Sequence, residues 1–314
     1  MKILANDGID PIGKQLLEDA GFQVDTTHIP QDELVDKLNQ YDAITVRSAT
    51  KVRQALIDAC PNLKVIARGG VGLDNIDVAY AQSKGIKVVN TPAASSHSVA
   101  ELVFAHLLTG VRFLYDSNRK MPLEGDRNFA ALKKAYAKGS ELQGKTLGVV
   151  GFGRIGRETA KIALGLGMNV LYTDLFTGPE TLSLTFSGAV TVDIPITQVE
   201  LPDLFSQADF ISIHVPFTDK PVIGAEEFEL LKDGVGLVNA SRGGVIEESA
   251  LIAALDSGKV AFAALDVFDD EPTPKAAILQ HPRISLTPHI GAATVEAQQR
   301  IGAELAELLI ANLR

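Results

Sequence analysis

The stretch Thr146 to Lys161, TLGVVGFGRIGRETAK, decides the fold of this chain. An apolar run leads into three glycines with the spacing G-x-G-x-x-G, which are Gly151, Gly153 and Gly156. Apolar residues at helical spacing follow these glycines. The order predicts a strand, a tight turn and a helix, which is the arrangement that binds a dinucleotide.

Each glycine has its own role in that arrangement. Gly151 permits the sharp turn, Gly153 lets the backbone approach a pyrophosphate, and Gly156 allows the helix and strand to pack closely. The start of the helix offers free N–H groups to the phosphates. Because glycine-rich turns are common, the motif alone is weak evidence. The predicted cofactor-binding loop comprises Gly151, Phe152, Gly153, Arg154, Ile155 and Gly156.

An acidic residue ends the next predicted strand. The run 169–173 is mainly apolar and is followed by Asp174, at about the 20-residue distance where a carboxylate meets the adenosine ribose. A turn residue is the alternative interpretation of Asp174. No Lys or Arg occurs between Asp174 and Lys220, so a ribose 2′-phosphate would meet a carboxylate without a cation from this segment. The sequence therefore favours NAD over NADP.

Length, charge and cysteine content limit the class of protein. The 314 residues are enough for two domains. The formal net charge of −10 argues against nucleic acid or an anionic membrane as a partner, while a small anionic substrate can still bind where cations cluster. The single cysteine, Cys60, excludes an internal disulfide and a cysteine-rich metal site, and it suits a reducing cytoplasm. We expect Cys60 to be buried, and we expect neither a secretory signal nor a membrane span.

Residues 1 to about 92 alternate between short β-type runs and helical patterns, which predicts βαβ units around a parallel sheet. The predicted strands are Lys2 to Ala5, Phe22 to Asp25, Ala43 to Arg47, Lys64 to Ala67 and Lys87 to Asn90. Ligands of such sheets bind beyond the carboxyl ends of strands, where Arg47, Lys51 and Arg68 can form a cationic pocket and the glycine amides can bind a carboxylate. Solvated charges and simple turns are the alternative. The candidate substrate-binding residues in this region are Arg47, Ser48, Arg68, Gly70, Val71 and Gly72.

A long helix is predicted to leave the first domain. Ser98 and Glu101 have the spacing of a capping box, and a mainly apolar helical pattern follows them. His106 lies within this pattern and is predicted to be a buried structural histidine. For His97, just before the cap, a place near the cleft and a place away from it are equally compatible with the sequence. Residues 112–145 are rich in charge and poor in period. We expect this long connection to pack against a second subunit.

Further strands are predicted at 146–150, 169–173, 190–194, 210–214, 236–240, 261–267 and 284–287, with a final helix at about 294–312 that returns to the first domain. The predicted architecture is α/β, with two doubly wound parallel-sheet domains and a cleft between them. A Rossmann NAD-binding domain, residues 98–290, is inserted into a flavodoxin-like substrate-binding domain, residues 1–97 and 291–314.

Three consecutive predicted strands end in residues suited to hydride transfer at an α-carbon. In a parallel sheet, Arg242, Glu271 and His289 reach the same edge as the glycine turn. Arg242 can bind a substrate carboxylate through two hydrogen bonds, and His289 can exchange the hydroxyl proton. Glu271 can bond the other imidazole nitrogen and favour the protonated ring. Oxidation then requires a neutral His289, and reduction requires a protonated one.

These motifs together resemble those of the D-isomer-specific 2-hydroxyacid dehydrogenases over nearly the whole chain. The matching segments are VRSATKV at 46–52, ARGGVGLDNID at 67–77, GFGRIGRETA at 151–160, NASRGGVI at 239–246, ALDVFDDEP at 264–272 and TPHIGAAT at 287–294. The resemblance implies that Arg242, Glu271 and His289 are the catalytic triad and that Asp266 lies near the nicotinamide. The further NAD contacts that it implies are Asp174, the adenine-side turn His214, Val215 and Pro216, and Ala240, His289 and Gly291. The segment Phe217 to Gly224 is shorter than is usual in the family.

The segments VRSATKV and RGGVGLDNID resemble the phosphoglycerate dehydrogenases of that family, in which Arg47 and Arg68 would face the substrate phosphate. The implied reaction is oxidation of D-3-phosphoglycerate to 3-phosphohydroxypyruvate, the first step of serine biosynthesis, by a cytoplasmic homodimer whose 125–139 segment can contribute to the neighbouring site. Because the chain stops at 314, we expect no serine inhibition through a C-terminal domain.

Two alternatives stay open at this point. One is a reductase for glyoxylate, hydroxypyruvate or another 2-keto acid. The other is an NAD-sensing interaction module similar to the transcriptional corepressors that share this fold. The sequence leaves open the identity of the substrate, the favoured direction and the size of the oligomer.

Overall fold

The computed structural model describes residues 1–176, 178, 180–187 and 189–314. They form two compact units. The first unit comprises Met1–Ser98 and Ala292–Arg314, and the second unit, Val99–Gly291, interrupts it in sequence.

The first unit is built on a parallel sheet. Its strands are β1 (Lys2–Ala5), β2 (Gln23–Asp25), β3 (Ala43–Val46), β4 (Val65–Arg68) and β5 (Lys87–Asn90). They lie in the order β2-β1-β3-β4-β5, and every pair is parallel. This is the flavodoxin-like order, so the predicted fold of this part of the chain is confirmed.

Helices cover both faces of this sheet. They are α1 (Pro11–Asp19), α2 (Leu34–Lys37), α3 (Gln54–Ala59), α4 (Val78–Ser83) and α12 (Val295–Leu313), with a 3-10 turn at Leu38–Gln40. One face holds Cys60, which is fully buried as predicted. On the other face α12 packs Leu305, Leu309 and Leu313 against the sheet, which confirms the predicted return of the final helix.

The second unit contains a larger sheet. Its strands are β6 (Thr146–Val150), β7 (Asn169–Thr173), β8 (Glu180–Phe186), β9 (Val190–Gln198), β10 (Phe210–Ile213), β11 (Val235–Asn239), β12 (Val260–Leu265) and β13 (Ile284–Leu286). Their order is β13-β12-β11-β10-β6-β7-β9-β8, and only β8 is antiparallel to its neighbour. Strands β10 and β11 are buried along their whole length, as expected for parallel strands covered on both faces. The order around β6 is that of a dinucleotide-binding fold.

The antiparallel strand β8 was not predicted, and β9 is longer than the predicted 190–194. Along β8, buried Leu182 and Leu184 alternate with exposed Thr181, Ser183 and Thr185. This period of two is typical of a strand with one covered face. The pair β8 and β9 therefore forms a hairpin at the end of the sheet, next to β7.

The remaining helices are α5 (Ser96–Val111), α6 (Leu114–Ala135), α7 (Arg154–Gly165), α8 (Leu201–Gln207), α9 (Ala225–Leu230), α10 (Glu248–Ser257) and α11 (Ala276–Leu279). The predicted cap at Ser98 is wrong, because α5 already begins at Ser96. The hydroxyl of Ser98 instead lies 2.8 Å from the hydroxyl of Thr294.

The predicted long connection at 112–145 is mostly the helix α6. Phe113, in a left-handed conformation with φ 54°, separates α5 from α6. Pro122 lies inside α6, and the helical backbone is interrupted at Asn128. In the described part of the chain no single helix is long and apolar enough to span a membrane; the bent pair α5 and α6 passes that test of length and composition only when the two are joined.

Candidate active site

The glycine turn between β6 and α7 has the geometry that the sequence predicts. Gly151 has φ 90°, and a Cβ there would lie 2.6 Å from the carbonyl oxygen of His214. A Cβ on Gly156 would collide with the carbonyl oxygen of Gly151. No atom lies within 4 Å of the Cβ position of Gly153, so this side of the turn is open. The turn is closely packed at Gly151 and Gly156 and open at Gly153, which is the arrangement expected of a turn that binds a pyrophosphate.

The carboxylate of Asp174 faces this turn. Its Oδ2 accepts the Phe152 N–H at 2.5 Å, and its Oδ1 accepts the Phe176 N–H at 3.1 Å. The ring of Phe152 stacks on that of Tyr172, with centroids 4.0 Å apart. Asp174 is thus fixed at the end of β7 beside the glycine turn, where the ribose of NAD is bound in this fold.

A cation that the sequence argument missed also lies here. Arg157, on α7, makes a two-pronged ion pair with Glu180 of β8, with N–O distances of 2.6 and 2.5 Å. Glu180 raises the pKa of Arg157 above its usual value, and Asp174 adds a smaller effect in the same direction. Arg157 precedes Asp174 in the chain, so it lies outside the segment from Asp174 to Lys220 that holds no Lys or Arg.

The predicted adenine-side turn follows β10. The N–H of His214 donates to the Val150 carbonyl at 2.7 Å, and its Nε2 lies 2.9 Å from the hydroxyl of Ser212. Burial lowers the pKa of His214 to about 3, so the ring is neutral. Among the described residues its Nδ1 has no hydrogen-bond partner. This turn, with Val215 and exposed Pro216, lies directly against Gly151.

The three predicted catalytic residues follow the carboxyl ends of neighbouring strands. Strands β11, β12 and β13 are adjacent and parallel, and Arg242, Glu271 and His289 lie in the segments after them. The side chain of Asn239 accepts the Ser241 N–H at 3.0 Å and donates to the Arg242 carbonyl at 2.8 Å. These bonds fix the turn that begins at Ala240 and carries Arg242.

His289 and Glu271 are in direct contact. His289 Nδ1 lies 2.9 Å from Glu271 Oε2, and Glu271 Oε1 accepts the Phe268 N–H at 3.1 Å. Both side chains line an open cavity of about 460 Å³ together with Pro272 and Leu286. The pair can bind a ligand and exchange a proton with it, because both groups are reachable from solvent and are held in a fixed relative position.

The loop that carries His289 is anchored by buried Asp266. Asp266 Oδ1 accepts from the Thr287 hydroxyl at 2.6 Å and from the Ile290 N–H at 2.8 Å, and its Oδ2 accepts the Gly291 N–H at 2.8 Å. The sequence placed Asp266 near the nicotinamide but did not indicate this anchoring. His106 is 4% exposed with both ring nitrogens hydrogen-bonded, which confirms the prediction of a buried structural histidine.

The candidate substrate residues of the first unit lie at the ends of β3 and β4, where Val46 pairs with Arg68. The guanidinium of Arg47 donates to the side chain of Gln298, and its backbone N–H donates to Asp7 at 2.6 Å. Burial lowers the pKa of Arg47. Arg47 lines a cavity of about 320 Å³ with Asp7, Asp10, Gly69 and Gln298.

Lys51 does not line that cavity. It is exposed, and its backbone pairs with the side chain of Gln31. Gly70, with φ 153°, lies beside the Arg68 guanidinium, and exposed Val71 accepts a hydrogen bond from Asn90 at 2.6 Å. Ser48 and His97 are exposed, and Gly72 is partly exposed. Gln298 and Asp7 were missed, because their partners are distant in sequence.

Among the described residues, no group of three or more His, Cys, Asp or Glu side chains is placed so that it could hold a metal ion.

Comparisons with known proteins point to one family. Residues 104–291 match the model of the D-isomer specific 2-hydroxyacid dehydrogenase NAD binding domain. A hydroxypyruvate reductase of Thermotoga maritima is 44% identical over 318 aligned positions, which cover 99% of this chain and 98% of that relative. A D-3-phosphoglycerate dehydrogenase of Methanocaldococcus jannaschii is 41% identical over 317 positions, and this chain spans only 58% of its length. The crystal structure of a glyoxylate reductase from Paecilomyes thermophila superposes with a TM-score of 0.81 at 31% identity, covering 100% of this chain and 94% of that one.

Proposed function

This chain belongs to the D-isomer specific 2-hydroxyacid dehydrogenase family, and we propose that it interconverts a small anionic D-2-hydroxy acid and the matching 2-keto acid. It is an NAD-dependent oxidoreductase, as the family is. The observation that carries the proposal is the 2.9 Å contact between His289 and Glu271, on the sheet that also bears the glycine turn. In this proposal the second unit is the NAD-binding domain, which also carries Arg242 and His289, and the first unit is the substrate-binding domain.

The chemistry follows from the side chains of the second unit. The chemistry that bound NAD would supply is a hydride acceptor for the substrate α-carbon, and bound NADH would supply the hydride donor of the reverse reaction. Arg242 binds the substrate carboxylate. His289 takes or supplies the hydroxyl proton at Nε2, because Glu271 occupies Nδ1. Glu271 stabilises the positive charge that the ring gains when it takes the proton. The glycine turn binds the pyrophosphate, and Asp174 binds the ribose.

D-3-phosphoglycerate is the substrate that we favour, which makes the reaction the first step of serine biosynthesis. Arg47 directly follows β3, Arg68 is the last residue of the adjacent β4, and both supply cations for a phosphate. The 41% identity to a D-3-phosphoglycerate dehydrogenase supports the same substrate.

Hydroxypyruvate or glyoxylate reduction is the second candidate. It is supported by a relative that is matched over 98% of its length, a hydroxypyruvate reductase. Rates of NADH formation or use separate the two candidates, if D-3-phosphoglycerate, D-glycerate, hydroxypyruvate and glyoxylate are compared under one set of conditions. A higher kcat/KM for D-3-phosphoglycerate than for D-glycerate supports the first candidate, and the opposite order rejects it. Turnover of no hydroxy acid or keto acid, with NAD still bound, would favour the NAD-sensing module instead.

We also propose that the protein is a cytoplasmic homodimer formed through α6. This helix exposes the large apolar side chains of Leu114, Leu123 and Phe129. Exposed apolar side chains of this size are the kind of surface that a subunit contact can cover. Light scattering of the purified protein tests the dimer; a monomer mass at micromolar concentration contradicts it. The single cysteine, Cys60, is a buried free thiol, which is consistent with the reducing cytoplasm that we propose.

A further inference from the structure

A buried hydrogen-bond chain leads from α5 to the loop that carries His289. His106 Nδ1 lies 2.8 Å from the hydroxyl of Ser285, and His106 Nε2 lies 3.0 Å from the hydroxyl of Thr287. The Thr287 hydroxyl is also 2.6 Å from Asp266 Oδ1. All of these residues belong to the second unit.

Asp266, the acceptor at one end, sets the donor-to-acceptor direction of every hydrogen bond in this series. An ionised Asp266 can only accept, so the single hydroxyl hydrogen of Thr287 points to Asp266. Thr287 must then accept from His106, which places the ring proton on Nε2. The neutral ring accepts at Nδ1 from the Ser285 hydroxyl. Burial lowers the pKa of His106, in keeping with a neutral ring, while Asp266, the charged group that faces it, acts in the opposite direction.

The loop at the other end needs an external restraint. His289 has φ 54°, a left-handed conformation that is strained for a residue with a Cβ. Asp266 supplies the restraint, since it accepts the N–H groups of Ile290 and Gly291 directly after His289. Because the Thr287 hydroxyl donates to Asp266, the oxygen Oδ1 of Asp266 holds two hydrogen bonds, one from Thr287 before His289 and one from the Ile290 N–H after it.

We propose that His106 is a positioning residue for His289, acting through Thr287 and Asp266. The inference rests on the proposed function only in taking His289 as the catalytic acid and base. A buried imidazole such as that of His106 costs free energy unless both nitrogens are paired. Here both are paired, and hydrogen bonds that all run in one direction strengthen each other. The polar ring therefore orders the loop where an aliphatic side chain would only fill space.

The test compares three variants with the wild-type enzyme. His106→Leu keeps the volume and removes both hydrogen bonds, whereas His106→Gln keeps one donor and one acceptor. Thr109→Val is the matched control, because Thr109 lies one turn later on α5 and lines with His106 a cavity of about 280 Å³. We expect His106→Leu to lower kcat by about 10- to 100-fold, the scale of a misplaced catalytic group. His106→Gln should restore much of the loss, Thr109→Val should be neutral, and NADH affinity should change little.

Two further readings do not depend on turnover. In His106→Leu, hydrogen exchange at the Ile290 and Gly291 amides should be faster, and the ¹⁵N signals of the His289 ring should shift. A His106→Leu enzyme with wild-type kcat, exchange rates and ring signals overturns the proposal. If that variant does not fold, Thr287→Val carries the same readings, because it removes only the linking hydroxyl.

The failure of the proposed function would look different. Wild-type protein that turns over no hydroxy acid rejects the proposed function, while the exchange rates and the His289 ring signals still decide the positioning role. In an active enzyme, the losses of His106→Leu and Thr287→Val should not add in the double variant, since both break one chain. Additive losses contradict the proposal.

Discussion

His289 Nδ1 lies 2.9 Å from Glu271 Oε2, and the other carboxylate oxygen of Glu271 accepts the Phe268 N–H. The Phe268 N–H, in the segment that follows β12, therefore fixes the Glu271 carboxylate, and this carboxylate orients the imidazole of His289. The ring nitrogen that remains for the substrate is Nε2. The contact joins two residues 18 positions apart, each of which follows a separate parallel strand.

Glu271→Gln should slow reduction more than oxidation. The glutamine keeps a hydrogen-bond acceptor near His289 but removes the negative charge that stabilises the protonated ring, which is the form needed for reduction. The values of kcat in the two directions, each at saturating substrate and cofactor, test this prediction. Equal losses of kcat in both directions would contradict it.

Arg47→Ala should lower kcat/KM for D-3-phosphoglycerate by about 10- to 100-fold, which is the value of a lost charge-assisted hydrogen bond. The same change should affect hydroxypyruvate much less. Lys51→Ala is the matched control, because Lys51 is a neighbouring but exposed cation. Equal losses for the two substrates would show that Arg47 acts on the fold, or on its partner Gln298, and not on a phosphate.

Glu180→Gln should increase the use of NADPH relative to NADH. Glu180 holds both prongs of the Arg157 guanidinium, and an Arg157 released from this pair can meet a ribose 2′-phosphate. We expect the NADPH to NADH ratio of kcat/KM to rise by about tenfold, equivalent to ~1.4 kcal/mol. Glu158→Gln, which breaks the ion pair with Lys161 on the same helix, is the control. An unchanged ratio would mean that Arg157 does not reach the cofactor.

His214 should make the folded protein sensitive to acid. Its folded pKa of about 3 lies below the ordinary value of 6.5. Between these pH values the unfolded chain binds a proton at His214 that the folded chain does not, so stability falls as pH falls, by up to about 1.4 kcal/mol per pH unit. Urea unfolding at pH 7 and pH 5 should therefore show a larger loss for the wild type than for His214→Asn. Equal losses would contradict the neutral buried ring.

Much of the fold could be predicted because its signals are local. Strands β1, β5, β6 and β7 have the predicted bounds, since each is a short apolar run ended by a turn. The glycine turn and the three strand ends could be placed on one edge, because parallel strands carry their carboxyl ends to the same side.

The parts that could not be predicted depend on tertiary context. Pro122 and Gly125 predict a break, yet α6 passes through both positions. The partners of His106 lie 179 and 181 residues away, and Glu180 lies 23 residues from Arg157. No local sequence period indicates such pairs. The sequence therefore predicts that His106 is buried, but it does not predict the hydrogen-bond partners of its ring.

The catalytic role of His289 in the oxidation of a D-2-hydroxy acid can be measured by the formation of NADH from the separate D and L enantiomers of the preferred substrate, with wild-type protein and with His289→Ala. We predict turnover of the D enantiomer only, and a loss of about 100- to 10,000-fold in kcat for His289→Ala with NAD binding retained. Equal rates for wild type and His289→Ala, or turnover of the L enantiomer, would rule out this role.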